Sequence, residues 1–116
     1  MSPDSVKASY RATLKEQVTI RRYTGVVTAT SPRFDVTARA RVVGFEPKEL
    51  IGSILQGDRK AIVYADDLIE GGLTLPVRTT DKLLLASGKE LAIISADGDS
   101  RKVDGVLIAY ELQVRG

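Results

Sequence analysis

A chain of 116 residues has the length of one domain, and at this size roughly two-thirds of the unfolded surface is buried on folding, so one core can hold without covalent staples. Hydrophobic residues make up 43% of it, which excludes wholesale disorder. Its 17 basic and 15 acidic residues leave a net charge of +2, so any contact with nucleic acid must come from a local patch rather than from the whole field.

Residues 1–15 form a zone of their own. Val6, Tyr10 and Leu14 recur four apart, the spacing of one helix face. Ser5 is the expected cap. One apolar residue per turn is a thin stripe, consistent with a short helix or with a mobile arm ordered by partners. From residue 16 to 116 the pattern is that of a β core. Val18, Ile20 and Arg22 alternate with Thr19, Arg21 and Tyr23. After a turn zone at Thr24–Arg33, the alternation returns. Phe34, Val36, Ala38, Ala40 and Val42 fall on one face, and Asp35, Thr37, Arg39 and Arg41 on the other. This is an antiparallel strand with one dry face and one wet face.

Phe45–Gly52 reads as a connection in which Pro47 stops the strand and Lys48–Ile51 makes one helical turn. Gly57-Asp58, between Ser53–Gln56 and Arg59–Ala65, suits a two-residue type II′ hairpin. Asp66–Asp81 is the longest expected loop. It carries Asp66, Asp67, Gly71, Gly72, Pro76 and Arg78, with a helical turn at Asp67–Ile69 and apolar anchors at Leu73, Leu75 and Val77. Loops of this length in small domains are usually functional or mobile, and the glycine pair makes this one deformable.

The last third reads as a three-strand meander. Lys82–Ala86 pairs with Lys89–Ala96 through Ser87-Gly88, Asp97–Asp104 is a polar loop, and Gly105–Val114 returns with Val106, Ile108, Tyr110, Leu112 and Val114 on one face. The predicted fold is mainly β: one domain over 1–116, a small antiparallel β-barrel or sandwich with a short N-terminal helix or arm and one long loop.

Histidine and cysteine are both absent. Ser–His–Asp and Cys–His arrangements, thiol chemistry and disulfides are therefore impossible. No phosphate-cradling glycine loop appears, and no cofactor or metal is expected. Asp97-Gly98-Asp99-Ser100 begins like a calcium loop, but Ile108 stands where the closing acid belongs, and Asp and Gly favour a plain polar turn. Asp66-Asp67 is a lone acidic pair without a second cluster, as expected at a helix start. No catalytic residue is assigned. Met1-Ser2-Pro3-Asp4 lacks an apolar leader core, and no apolar run approaches the roughly 20 residues of a membrane span. The basic residues Arg21-Arg22, Arg39, Arg41, Arg59 and Lys60 lie on or beside strands. They fit either a stripe meeting DNA phosphates or an acidic partner, or a solvated sheet face that resists aggregation. With two Phe, four Tyr and no Trp, a base-stacking platform for single strands is disfavoured.

Several blocks carry a resemblance: Val18-Thr19-Ile20-Arg21-Arg22, Val36-Thr37-Ala38-Arg39-Ala40-Arg41-Val42, Glu49 in Pro47-Lys48-Glu49-Leu50, then Thr80-Asp81-Lys82-Leu83, Gly88-Lys89-Glu90-Leu91-Ala92-Ile93 and Leu107-Ile108-Ala109-Tyr110-Glu111-Leu112. In these the chain resembles the head–tail joining proteins of tailed bacteriophages, also called head-closure, stopper or neck proteins. Arg39 and Leu91 stand where that family often has aromatics. The resemblance implies a non-enzymatic virion component. It would be made in the bacterial host cytoplasm and assembled as a homo-oligomeric ring, a hexamer by preference. The ring would lie between a portal-bound adaptor and the tail, around packaged double-stranded DNA. Arg39, Arg41, Arg59 and Lys60 would face the DNA channel or a partner, and the 66–81 loop would move. A tail terminator is the neighbouring alternative, and a monomeric β-barrel nucleic-acid-binding module is the alternative of another class.

Overall fold

A computed structural model of the chain describes residues 2–23, 33–44 and 57–116. The element order is α1 (Pro3–Thr13), β1 (Glu16–Tyr23), β2 (Arg33–Gly44), β3 (Arg59–Tyr64), α2 (Ala65–Glu70), β4 (Lys82–Leu84), β5 (Glu90–Asp97), β6 (Lys102–Val103), β7 (Val106–Leu107) and β8 (Ala109–Arg115). Six strands close into an antiparallel barrel in the order β1-β2-β3-β8-β5-β4, and β6-β7 form a separate small ladder. The mainly-β barrel expected from the sequence is what the chain forms.

The period-two alternation builds the barrel directly. Val18 and Ile20 of β1, Val36, Ala38 and Ala40 of β2, and Ala61 and Val63 of β3 point inward. They meet Leu83 of β4, Leu91 and Ile93 of β5, and Tyr110, Leu112 and Val114 of β8 in one buried cluster. Six strands leave a narrow interior. Alanines at 38, 40 and 61 make room for Tyr110 and the leucines, the small-against-large packing of small barrels. The barrel interior is a filled core. A register shift between Ile93 and Ser95 marks a bulge in β5 against β8, which bends the strand for closure. The seam between β1 and β4 is short, running through Thr19, Ile20 and Arg21 opposite Leu84, Leu83 and Lys82.

β2 is twice the length of β3. Its pairing with β3 covers Ala40–Gly44 and leaves the first half without that neighbour. α2 begins where β3 ends and lies against this part of β2. Asp67 Oδ2 accepts the Arg39 backbone amide at 2.9 Å, taking the place of a ladder bond at the strand edge. α2 ends in a Schellman motif: Leu73 N–H donates to Leu68 O, Gly72 N–H donates to Ile69 O, and Gly72 has φ +89°. Leu68 and Leu73 are buried together beneath it. The glycine pair therefore terminates a helix and seats it closely, because a Cβ on Gly71 would run into Val36 Cγ1.

The structure changes several sequence expectations. Ser2, not Ser5, caps α1: Ser5 N–H donates to Ser2 Oγ, and Pro3 sits at the first helical position. Residues 66–81 are not one open loop, since α2 takes the first part and Leu73 and Val77 are buried in the core. The Leu75–Pro76 peptide is cis. The polar loop 97–104 contains β6 and turns at Asp104-Gly105, both with positive φ (50° and 77°), as a type I′ hairpin requires. Val106 belongs to that hairpin and is exposed, so the inward face of the last strand runs from Tyr110 to Val114. Phe34, at the open end of β2, is 40% exposed. Ser53–Gln56 and the connection Phe45–Gly52 lie outside the described residues, as does the turn zone from Thr24 to Pro32. Both edges of β3 are occupied, by β2 and β8.

Candidate functional site

The outward face of the barrel carries the charged chemistry. Arg39 and Arg41 are two apart on β2 and share that face, with side chains about 7 Å apart at strand spacing. Across the ladder, Arg41 sits opposite Ile62 and Val43 opposite Lys60, so Lys60 is the diagonal neighbour of Arg41 on the same face. Arg59 alternates with Lys60 and takes the inward parity of Ala61 and Val63 at the barrel end. The structure thus places Arg39, Arg41 and Lys60 on one face, with Arg41 between the other two, and separates Arg59 from them.

These cations differ in their commitments. Arg39 lies over the Tyr64 ring, 5.9 Å from its centroid, with Nε 3.6 Å from Asp67 Oδ2. Arg41 is exposed, and among the described residues no carboxylate lies within ion-pair distance of it. Arg21 is bound in a fork to Asp35, its direct cross-strand partner, at 2.9 and 3.0 Å. That pairing lowers the Asp35 pKa below the ordinary carboxylate value, because the guanidinium donates to the charged form. Arg22 points inward at the barrel mouth. It forks onto Asp81 at 2.9 and 2.8 Å and donates to Thr74 O and Pro76 O. Asp81 is 1% exposed and also accepts the Arg78 amide. This hub ties β1 to the segment after α2, leaving Arg78, Thr79 and Thr80 exposed at its surface.

A second buried carboxylate, Asp58, holds the end of β8. It accepts from the Arg115 guanidinium on both oxygens and from Gln113 Nε2 at 2.9 Å. Neither hub was singled out from the sequence. The partners lie 59 and 57 residues apart, and no local spacing reveals them. Asp66 pairs with Lys7 of α1 at 2.9 Å.

The weak metal candidates resolve into turn chemistry. Asp97 accepts from the amides of Asp99 and Ser100 and from the Ser100 hydroxyl. These bonds lower its pKa, the hydroxyl contributing most. Asp99 pairs with Lys102. Among the described residues, no group of three or more acidic side chains is placed to hold a metal ion. An open groove of about 350 Å³ beside the β1–β4 seam is lined by Gln17, Val18, Thr19, Thr37, Leu84 and Leu85, together with Ala86 and Gly88. It has no titratable side chain to do chemistry. No described helix is long and apolar enough to cross a membrane.

Fold and surface together define a closed six-stranded barrel with a docked N-terminal helix and an outer face on which most arginines are paired with carboxylates. No protein-family model matches the sequence, and no curated relative matches it significantly.

Proposed function

We propose that this chain is a structural component of a tailed-phage neck: a head-closure ring that joins the portal–adaptor side to the tail and retains packaged DNA. The observation that carries the reading is the resemblance in the blocks opening at Thr80, Gly88 and Leu107. Those blocks fall on β4, β5 and β8, three consecutive neighbours in the barrel, so they belong to one contiguous surface and core. Copies would pack head-to-tail about an axis, a heterologous interface that closes into a ring. Arg39 and Arg41 present charge to DNA phosphates or to an acidic neighbour, and Arg78 with Thr79 and Thr80 offers the exposed part of the 66–81 segment to a partner. A tail-terminating ring would use the same surfaces at the other end of the neck.

The test is the native mass of the purified protein, alone and with a portal–adaptor complex. A ring, or stoichiometric capture by the complex, is expected. A protein that stays monomeric, ignores the complex and shifts DNA with a salt-dependent affinity would instead be the barrel module of the alternative reading.

A further inference from the structure

The chain has no asparagine and two Asp-Gly dipeptides, Asp97-Gly98 and Asp104-Gly105. Asp-Gly is the dipeptide at which an aspartyl side chain closes most readily on the backbone, because glycine puts no Cβ beside the attacking amide. The fold treats the two sites oppositely. Asp97 lies at the end of β5, opposite Glu111 of β8. Its Oδ1 accepts from the amides of Asp99 and Ser100, and its Oδ2 from the Ser100 hydroxyl. These bonds, the hydroxyl foremost, turn the carboxylate toward residues 99 and 100 and favour its charged form, which does not cyclise. Gly98 packs against the Tyr110 ring, where a Cβ would lie 2.8 Å from Cε1, so its peptide has little room to rotate. Asp104 stands exposed at the tip of the β6–β7 hairpin, and among the described residues no hydrogen bond or ion pair engages its carboxylate. Its φ of 50° is left-handed, a conformation that costs an L residue free energy. The ladder beneath it has two pairs, closed by Val103 and Val106, so the Gly105 amide stands outside it. The space around Gly105 is open.

We infer that Asp104-Gly105 is a self-modification site, where the folded protein converts Asp104 to isoaspartate while it holds Asp97 as aspartate. The Gly105 amide nitrogen attacks Cγ of the protonated Asp104 carboxyl. An N–Cγ bond forms, the Cγ–OH bond breaks, and the amide proton and the hydroxyl leave as water. The product is a five-membered cyclic imide. Water then opens either of its carbonyls. Opening at Cγ restores aspartate. Opening at the main-chain carbonyl of Asp104 routes the chain through Cβ and Cγ and leaves the α-carboxylate as the side group. One water leaves and one returns, so the mass is unchanged and nothing is oxidised or reduced. The Asp104–Gly105 peptide must rotate for the attack, and only the two-pair ladder resists, so local opening suffices. The same rotation at Asp97 would pull the end of β5 from β8. Isoaspartate releases the left-handed φ at residue 104. Its extra backbone carbon falls in a turn whose Val106 is already exposed, so the barrel stays closed.

Trypsin places the two sites in different peptides, Glu90–Arg101 and Val103–Arg115. The full chain is aged in mildly acidic buffer, folded in one set and unfolded in guanidinium chloride in the other. Isoaspartate is read in each peptide as a retention shift without a mass change, and as methyl transfer from labelled S-adenosylmethionine by an isoaspartyl carboxyl methyltransferase. Electron-transfer fragmentation locates the residue. With asparagine absent, every such signal reports an aspartate. In the folded protein Asp104 is expected to convert several-fold faster than Asp97, and the two rates should converge on unfolding. Equal rates in the folded protein, faster conversion of Asp97, no conversion of Asp104 while the fold holds, or the same ratio folded and unfolded would each overturn the inference.

Discussion

Replacing Arg22 with Met isolates the hub at the barrel mouth. Methionine is unbranched and of similar length, so it fills the space but leaves Asp81, 1% exposed, with the Arg78 amide and no cation. The Arg22 side chain is 13% exposed, so solvent screens the pair little. Removing one partner of a buried ion pair costs about 3–5 kcal/mol. The carbonyls of Thr74 and Pro76 turn to water at little further cost. Against a total stability of about 5–15 kcal/mol, the loss is large. At a urea slope of about 2 kcal/mol per molar, the unfolding midpoint falls by about 1.5–2.5 M. The double variant Arg22→Met/Asp81→Leu removes the stranded charge and restores apolar packing. It is expected to regain at least half of the loss, a coupling of about 2 kcal/mol or more. A single-variant cost below about 1 kcal/mol, or additive costs in the double variant, would refute the reasoning.

Asp58→Ala removes the buried carboxylate that accepts from Gln113 Nε2 and from the Arg115 guanidinium, and is expected to cost about 1–3 kcal/mol in urea unfolding, with little of it from the half-exposed Arg115, which water screens. Gly71→Ala pushes a methyl into Val36 and is expected to lower stability by about 1–3 kcal/mol. Gly44→Ala, where a Cβ meets nothing within 4 Å, should stay within about 0.5 kcal/mol in the same melt. The Asp35 pKa is depressed by Arg21, so on acidification the unfolded chain takes up that proton first. The pair's stabilisation is fully present above the ordinary Asp value near 3.9 and is lost as pH falls through the lower folded value. Asp35→Asn should flatten that part of the acid limb of a pH–stability curve by less than about 1 kcal/mol, because the carboxylate is partly exposed.

The strands were legible where one face is dry. Val36, Ala38 and Ala40 alternate with charged or hydroxyl residues, and period two admits few other readings. The β4–β5 turn was legible because Ser87-Gly88 interrupts two apolar runs, and Gly88 does take a positive φ of 90°. The β1–β4 seam was not, because three residue pairs leave no pattern in either strand. α2 was read as a turn since six residues are under two helical periods, yet Gly72 and the Leu68–Leu73 pair carried the signature of its end. Ser2-Pro3-Asp4 likewise held a better helix start than Ser5, given proline's preference for the first helical position. Asp104-Gly105 is a strong hairpin dipeptide. Its flanking strands are two residues each, too short to alternate.

The basic residues carry the functional argument furthest, because the structure sorts by partner what the sequence could only count. Arg21 and Arg22 are neutralised by Asp35 and Asp81 and serve the barrel. Arg39 is shared between Asp67 and Tyr64. On the outer face of β2 this leaves Arg33 and Arg41 as the cations without a carboxylate within ion-pair distance among the described residues. Affinity for DNA scales with the phosphates neutralised, with a salt slope of about −0.9 per contact. One barrel making about two such contacts would lose only about tenfold in affinity over a fourfold rise in salt. That is too weak a hold for a solitary nucleic-acid module. Copies arranged around one duplex multiply the contacts without adding a single residue to the chain. A surface this thinly charged is more useful repeated than alone, which is why the sorting of the arginines favours the ring over the monomeric module.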